Sequence, residues 1–151
     1  MRDVSKVVRR PLLTAGVAAL VLGGAWSGVA LAGAPYTVAV NVVPSTAPIP
    51  GSFKVTASGL SSNLSRLKVF LNATKACAPT AAGEAALAGD ILVINPPAGV
   101  VGAYSRSKTL ITVAGAKGPR GEGNHQACAY LIAAPPAALL RARASTAYSV
   151  G

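Results

Sequence analysis

Acidic side chains and histidine are scarce in this 151-residue sequence, which has four Asp and Glu and one histidine beside 14 Lys and Arg. Enzymes that use acid–base or nucleophilic chemistry bring several titratable groups together, so few catalytic combinations are available here. His125 would have to meet Glu122 or Asp90 beside a serine, and no Gly-x-Ser-x-Gly motif supports such a set. We therefore predict no catalytic residues and no cofactor.

Cysteine and tryptophan are nearly absent as well. The two cysteines, Cys77 and Cys128, and the single histidine fall short of the four Cys or His ligands of a structural zinc site, so no metal site is predicted. The only tryptophan, Trp26, stands close to the N-terminus. After residue 34 no stretch carries the periodicity of a helix of normal length, which argues against helical and α/β folds.

The N-terminal segment has the three parts of an export signal. Its basic start includes Arg9 and Arg10, and an apolar run begins at Leu12. Ala30 and Ala32 supply the small side chains that a signal peptidase requires. The arginine pair also matches the loose twin-arginine pattern. These features predict a helical signal peptide and an exported protein.

Cleavage after Ala32 divides the chain into a signal peptide, residues 1–32, and a mature domain, residues 33–151. An uncleaved membrane anchor is the alternative, because residues 11–32 are long enough to cross a bilayer. Four glycines lower the hydrophobicity of that segment, and the cleavage motif favours its removal. We expect a secreted or extracytoplasmic protein, with membrane anchoring as the alternative.

Positive charge stays in excess after removal of the signal peptide. The first 32 residues contain four basic side chains and one acidic side chain, which leaves ten and three in the mature domain. A domain of this charge is attracted to anionic polymers of the cell envelope. The alternative is that the charge only keeps the protein soluble. No basic run is interleaved with aromatic residues, so specific nucleic-acid binding is not expected.

Export places the two cysteines in an oxidising compartment. Two cysteines in an exported chain form a disulfide in the simplest case, and we predict the bond Cys77–Cys128. The bond closes a loop of about 50 residues, for which the chain-entropy relation gives a large stabilisation.

Apolar and polar residues alternate in seven short runs, a period typical of half-buried strands. Proline, glycine, asparagine and serine separate the runs, and Gly59 is expected to end the second one. Residues 80–88 could form one helical turn, but we treat them as a loop. The pattern predicts an all-β fold, a two-sheet antiparallel immunoglobulin-like sandwich. The predicted strands are residues 36–43, 52–58, 66–72, 90–95, 108–114, 125–133 and 140–150.

The C-terminal part of the chain resembles a known group of proteins. Its segments NHQACAYL, residues 124–131, and ASTAYSV, residues 144–150, are similar to the C-terminal hairpin of small secreted immunoglobulin-like proteins of high-GC bacteria, most of them uncharacterised. The resemblance extends over residues 53–150 and implies a fold and a compartment only. Two features of antibody-type domains are missing: the mature chain has no tryptophan, and Gln126 stands where they have a tyrosine.

Residues 115–123 form a glycine-rich loop between two predicted strands. A phosphate-binding P-loop is excluded because its Lys-Ser/Thr pair is missing and a strand follows. Lys117, Arg120, Glu122 and His125 make this the first candidate binding loop, since binding residues concentrate on loops held by a rigid scaffold. For His125 a neutral residue at a strand edge is favoured over a catalytic one.

Arg141 and Arg143 stand two residues apart on the last predicted strand, so we expect both to point to solvent from one face. They would form a basic stripe with Arg66 or Lys68 if the two strands were neighbours. The favoured alternative is that these charges protect an edge strand from aggregation.

Together these features predict a non-enzymatic structural or binding module, monomeric, at the cell envelope or in the medium. Its partner is unidentified and is either an anionic envelope polymer or a protein. Two alternatives remain: a membrane-anchored extracytoplasmic domain, or a small secreted hydrolase or enzyme inhibitor that uses residues 115–123.

Overall fold

The computed structural model describes residues 35–72 and 76–151. The predicted signal peptide, its helix and the cleavage-site residues Ala30 and Ala32 lie outside the described residues. None of the helices in the described part of the chain is long and apolar enough to span a membrane.

Strands account for most of the described chain, and their bounds follow the alternation of apolar residues. One short helix, α1, interrupts them. In chain order the elements are β1 (Tyr36–Val43), β2 (Thr46–Ala47), β3 (Ser52–Asn72), α1 (Ala81–Ala85), β4 (Ile91–Ile94), β5 (Val100–Ile111), β6 (Gly123–Ala133) and β7 (Leu140–Val150).

The strands form one continuous sheet because the 21-residue β3 belongs to both of its halves. The first half of β3 pairs with β1 and β5, and its second half pairs with β6 and β4. β7 extends the sheet beside β6, and the two-residue β2 pairs with β7 in parallel. The predicted all-β class is confirmed. The prediction of two separate antiparallel sheets is wrong, because β3 runs through both halves. The sheet is mixed because β2 pairs with β7 in parallel.

Gly59 lies inside β3 and does not end a strand, contrary to the prediction. A side chain at this position would collide with the Thr37 carbonyl oxygen on β1, and its Cβ would lie 2.9 Å from the Tyr104 hydroxyl on β5. Tyr104 uses that hydroxyl to donate to the Thr37 carbonyl at 2.8 Å. A glycine in a strand therefore marks a close approach of neighbouring groups here.

Other boundaries differ from prediction as well. β5 begins at Val100, eight residues before the predicted start, and residues 81–85 of the predicted loop form α1. The Thr80 side chain caps α1 by accepting a hydrogen bond from the Gly83 amide at 3.1 Å. β2 was not predicted, because two residues carry no measurable periodicity.

The main core lies on the inner face of the sheet. Residues on alternate positions of β1, β3, β6 and β7 fill it, as the period of two predicts. The largest fully buried side chain of this core is Phe53, whose ring packs against Tyr148 with centroids 5.1 Å apart. Further fully buried members are Val55, Ala57, Leu67, Val69, Leu71, Ala127, Ala129 and Leu131.

A second apolar cluster lies on the outer face of β3 and β6. Phe70, Cys128 and Tyr130 project there and are covered by the segment 76–85, which includes α1. This explains why Phe70 interrupts the polar side of its strand. The sheet is therefore buried on both faces around Phe70, Cys128 and Tyr130, whereas Lys54 and Leu60 on the outer face of the first half of β3 are exposed.

Three tyrosine hydroxyls each donate to a backbone carbonyl of another segment. Tyr104 contacts Thr37, Tyr130 contacts Ala78, and Tyr148 contacts Pro119 at 2.7 Å. Burial raises the pKa of all three side chains above the ordinary value of 10.0. The folded state therefore keeps these phenols protonated at pH values where the unfolded chain loses its protons.

This difference predicts alkaline destabilisation. The contribution of the three tyrosines is fully present below pH 10.0 and is lost as the pH rises above it, by up to about 1.4 kcal/mol per pH unit for each group. Urea midpoints measured between pH 8 and 11 should be level at first and fall steeply above 10. The Tyr104→Phe variant should show a shallower fall. Equal midpoints at pH 9 and 11 in the natural chain would contradict the prediction.

Candidate functional site

The candidate site is the outer face of the second half of the sheet, where the segment 76–85 crosses β3, β6 and β7. The predicted disulfide anchors this segment: Cys77 and Cys128 are bonded with S–S 1.95 Å and Cα–Cα 5.7 Å. Cys128 lies in β6 and is fully buried, whereas Cys77 is partly exposed. The bond fixes the segment to the sheet at one point.

Glu84 is the second attachment, through a fully buried carboxylate. Its Oε2 accepts from the Ala78 amide at 2.6 Å and from the Tyr130 hydroxyl at 2.8 Å. Its Oε1 accepts from Asn72 Nδ2 at 3.1 Å. Burial, followed by the hydrogen bond to Glu84, raises the pKa of Tyr130. The carboxylate thus satisfies buried donors of β3, β6 and the segment itself, which is how an acidic side chain is tolerated there.

A carboxylate oxygen of Glu84 and the sulfurs of Cys77 and Cys128 lie within 4.8 Å of one another. This set does not form a thiolate metal site, because both sulfurs are used in the disulfide and metals bind thiolates. The group is an internal crosslink between the segment and the sheet.

Cationic side chains border this crosslink. In the sheet register Lys68 of β3 stands opposite Tyr130 of β6, and Tyr130 stands opposite Arg143 of β7. Paired residues project on one face, so Lys68 and Arg143 share a face with a strand between them, about 10 Å apart. Arg66 projects on the same face, two residues before Lys68. We call these three residues, Arg66, Lys68 and Arg143, the cationic face.

Two depressions flank the segment 76–85 on the cationic face. The first, of about 240 Å³, has Arg66 and Lys68 at its wall and α1 alanines opposite them. The second, of about 630 Å³, contains Arg143, Gln126 and Cys77. Each depression thus combines at least one cation with an uncharged wall.

Few carboxylates are available to neutralise these cations. The described residues include nine Lys and Arg and three Asp and Glu. Glu84 is fully buried and Asp90 is half-buried, so Glu122 is the one fully exposed carboxylate in the described part of the chain. Neither of the two depressions has an acidic residue in its described wall. The cationic face therefore has a positive electrostatic potential.

The predicted basic stripe is partly wrong. Arg143 is exposed and aligned with Lys68 across β6, although their strands are not direct neighbours. Arg141 is not part of this row, because the β6–β7 register shifts between Leu131 and Ile132 and leaves it as the extra residue. It turns back toward residues 61–65 of β3, where the register with β5 shifts, and its Nη1 donates to Ser65 Oγ at 2.7 Å. We call residues 61–65 the bend of β3.

Arg141 joins three parts of the fold. Its Nη1 also lies 3.2 Å from the Leu64 carbonyl oxygen, and its guanidinium lies 4.2 Å from the centre of the Tyr36 ring on β1. Ser61 and Ser65, both fully buried, are hydrogen-bonded to each other at 2.6 Å in the same bend. Arg141 is therefore a structural residue that links β7, β1 and the bend of β3.

We expect Arg141→Ala to lower the free energy of unfolding by about 2 kcal/mol, because it removes charged hydrogen bonds and the contact with the tyrosine ring. Arg143→Ala removes the same charge from an exposed position and should change stability by less than about 0.5 kcal/mol. Urea denaturation of both variants measures the difference. Equal stabilities would contradict the structural role of Arg141.

The predicted binding loop combines exposed and buried residues. Lys117, Arg120 and Glu122 are exposed, but His125 is buried near the start of β6, opposite Tyr148 of β7. The His125 ring packs on Tyr148 with centroids 5.3 Å apart, and its Nε2 donates to the Gly121 carbonyl at 2.8 Å. His125 lies two residues after the start of β6 and is buried there. His125 supports the base of the loop.

Edge protection occurs on β5. Among the described residues β5 pairs with β3 alone, so its other edge is open. In the β3–β5 register Arg106 stands opposite Ala57 and Lys108 stands opposite Val55, and both partners are core residues. The two cationic side chains therefore project on the core side of β5, although both are exposed. Inward-pointing charges of this kind block edge-to-edge pairing. These two residues are remote from α1 along the sheet.

Glu84 and Tyr130 were not predicted as site residues. Their side chains meet because the disulfide and α1 bring residues 46 apart in sequence together. The available signal was a lone acidic residue in an alanine-rich run just after a cysteine, with Thr80 as a helix cap.

No protein-family model matches the sequence, and no curated protein matches it. Among solved structures, the chain is similar to the CARDB domain of the PF1109 protein from Pyrococcus furiosus, described in complex with di-metal ions. The TM-score is 0.37 and the sequence identity 12%, over 77% of this chain and 89% of that chain. The metal ions are a property of that domain.

Proposed function

We propose that this protein is an exported, non-enzymatic immunoglobulin-like module that binds anionic components of the cell envelope through its cationic face. The observation that carries the proposal is the grouping of Arg66, Lys68 and Arg143 around a segment attached by a disulfide and a buried carboxylate. A rigid support holds these cations in place, and no acidic residue lines the two depressions beside them, which favours an anionic ligand.

The export part of the proposal is supported by the N-terminal sequence and by the disulfide. A basic start, an apolar run and the alanines at positions 30 and 32 are typical of a signal peptide. A disulfide persists in oxidising compartments, which agrees with export. The resemblance of residues 53–150 to small secreted proteins supports the same compartment.

The test uses the native protein, purified without reductant, and a linear poly(glycerol phosphate) as the probe. We expect Lys68→Ala combined with Arg143→Ala to weaken binding at least tenfold. The dependence of affinity on salt should also become shallower, because fewer counterions are released on binding.

The matched control is Arg106→Ala combined with Lys108→Ala, which removes the same charge at the edge of β5. It should keep its affinity within about twofold of the natural chain, since the lost cations lie outside the cationic face. Equal weakening by the two double variants would show that net charge alone attracts the polymer, and the proposed site would be wrong.

A further inference from the structure

The groove between α1, β6 and β7 combines an apolar floor with cations at one wall, and the proposed polymer binding uses only the cations. Its volume is about 240 Å³. The residues that define it are Arg66, Lys68, Ala81, Ala85, Ile132 and Leu140.

The local sequence determines the side chains on both walls of the groove. The face of α1 that borders the groove carries alanines, so the helix leaves space where larger side chains would pack. Opposite the helix, Ile132 of β6 is partly buried and Leu140 of β7 is 42% exposed. A leucine left this accessible next to a concave apolar surface gains contact area when an apolar group enters.

The cations determine the charge of the head group that an apolar ligand of this groove can carry. Arg66 and Lys68 of β3 line the groove together with the alanines of α1, and no acidic residue belongs to its described lining. A cationic amphiphile would place like charges together, and a neutral chain would leave the cations without a partner. An anionic head group is complementary, because a guanidinium and an ammonium both bind carboxylates.

We propose that this groove binds a single-chain anionic lipid, with its carboxylate at Arg66 and Lys68 and its alkyl chain against Ile132, Leu140 and the alanines of α1. The inference rests on the proposed anion-binding function of the cationic face and specifies the ligand of one part of it. Poly(glycerol phosphate) would contact the cations alone, whereas the lipid also fills the groove.

The test is calorimetric titration of the native protein with decanoate below its micelle concentration. Two comparison probes separate the contributions: acetate has the head group without the chain, and decyltrimethylammonium has the chain with the opposite charge. We expect saturable decanoate binding that is at least tenfold tighter than the binding of either comparison probe. Absence of saturation, or equal affinity for all three probes, would overturn the inference.

Ala85→Leu fills the groove without changing the charge, and Ala103→Leu adds the same atoms at an exposed position of β5. We expect Ala85→Leu to weaken decanoate binding at least tenfold and Ala103→Leu to leave it unchanged. Because Ala85→Leu removes no cation, its affinity for poly(glycerol phosphate) is measured beside its decanoate affinity, and loss of lipid binding and loss of polymer binding are separate results. Unchanged decanoate affinity in Ala85→Leu would overturn the lipid site and leave the proposed function standing.

A measurement on the natural chain removes any dependence on the folding of a variant. Nuclear Overhauser contacts between the methylene protons of decanoate and the methyl groups of Ile132 and Leu140 are expected in the complex. Contacts with methyl groups elsewhere and none at these two residues would overturn the assignment of the groove.

Discussion

Reduction of the Cys77–Cys128 disulfide is expected to lower the free energy of unfolding by about 4 kcal/mol, because the bond closes a loop of about 50 residues in the unfolded chain. For a domain of this size the melting temperature should fall by roughly 15 °C. Cys77 is partly exposed and Cys128 is fully buried, so the Cys77 sulfur is the more accessible one to the thiolate of the reductant. Calorimetric melting of the native protein with and without reductant measures the change.

The matched variant is Cys77→Ala combined with Cys128→Ala, which removes the bond without a reductant. It should melt close to the reduced natural chain and should not respond to reductant itself. A melting temperature within about 2 °C of the oxidised natural chain would show that the bond carries little of the stability. The Glu84 crosslink would then be sufficient to hold the segment 76–85.

Replacement of Glu84 by alanine is the second large effect that we expect. The Glu84 carboxylate accepts from three groups: the Ala78 amide, Asn72 Nδ2 and the Tyr130 hydroxyl. Hydrogen bonds to a charged group contribute about 1.5 to 3 kcal/mol each, and the tyrosine keeps a second acceptor in the Ala78 carbonyl, so the total loss should be about 3 kcal/mol.

The comparison variant is Glu122→Ala, which removes an exposed carboxylate and should change the stability by less than about 0.5 kcal/mol. The double variant with Tyr130→Phe adds a test of coupling. If Glu84 and Tyr130 act together, the loss in Glu84→Ala/Tyr130→Phe is smaller than the sum of the two single losses. Equal stability of Glu84→Ala and Glu122→Ala, measured in urea, would contradict the crosslink.

Periodicity predicted the strands that are regular. The bounds of β1 and the C-terminal ends of β6 and β7 agree with prediction, because one face of each strand packs in the core and the alternation is clear. The disulfide was predictable from the export signal and the cysteine count alone. These inferences depend on local residue type and need no tertiary information.

The continuity of β3 could not be read from the sequence. In the sequence Gly59 resembles a residue that ends a strand. In the structure its lack of a side chain leaves the space in which Thr37 and Tyr104 approach each other. The serines at the bend of β3 are polar because they bond to each other and to Arg141, and in the sequence they look like a turn. Both features depend on contacts with distant strands.

The cationic face was only half predicted for a related reason. The orientation of Arg143 follows from alternation along β7, whereas Arg141 leaves the row through a register shift that no sequence pattern indicates. The alignment of Lys68 with Arg143 requires β6 between their strands, and the strand order is a property of the whole sheet. Glu84 can crosslink the segment 76–85 to the sheet only because α1 packs against that sheet.

The most direct test of the account is a nuclear magnetic resonance titration of the isotopically labelled, oxidised protein with poly(glycerol phosphate). We predict that amide shift changes concentrate on residues 66–68, 76–85 and 141–145, which surround the cationic face, and that Arg106 and Lys108 on β5 stay unchanged. Shift changes spread over all cationic residues, or centred on Arg106 and Lys108, would contradict the cationic face as the binding site.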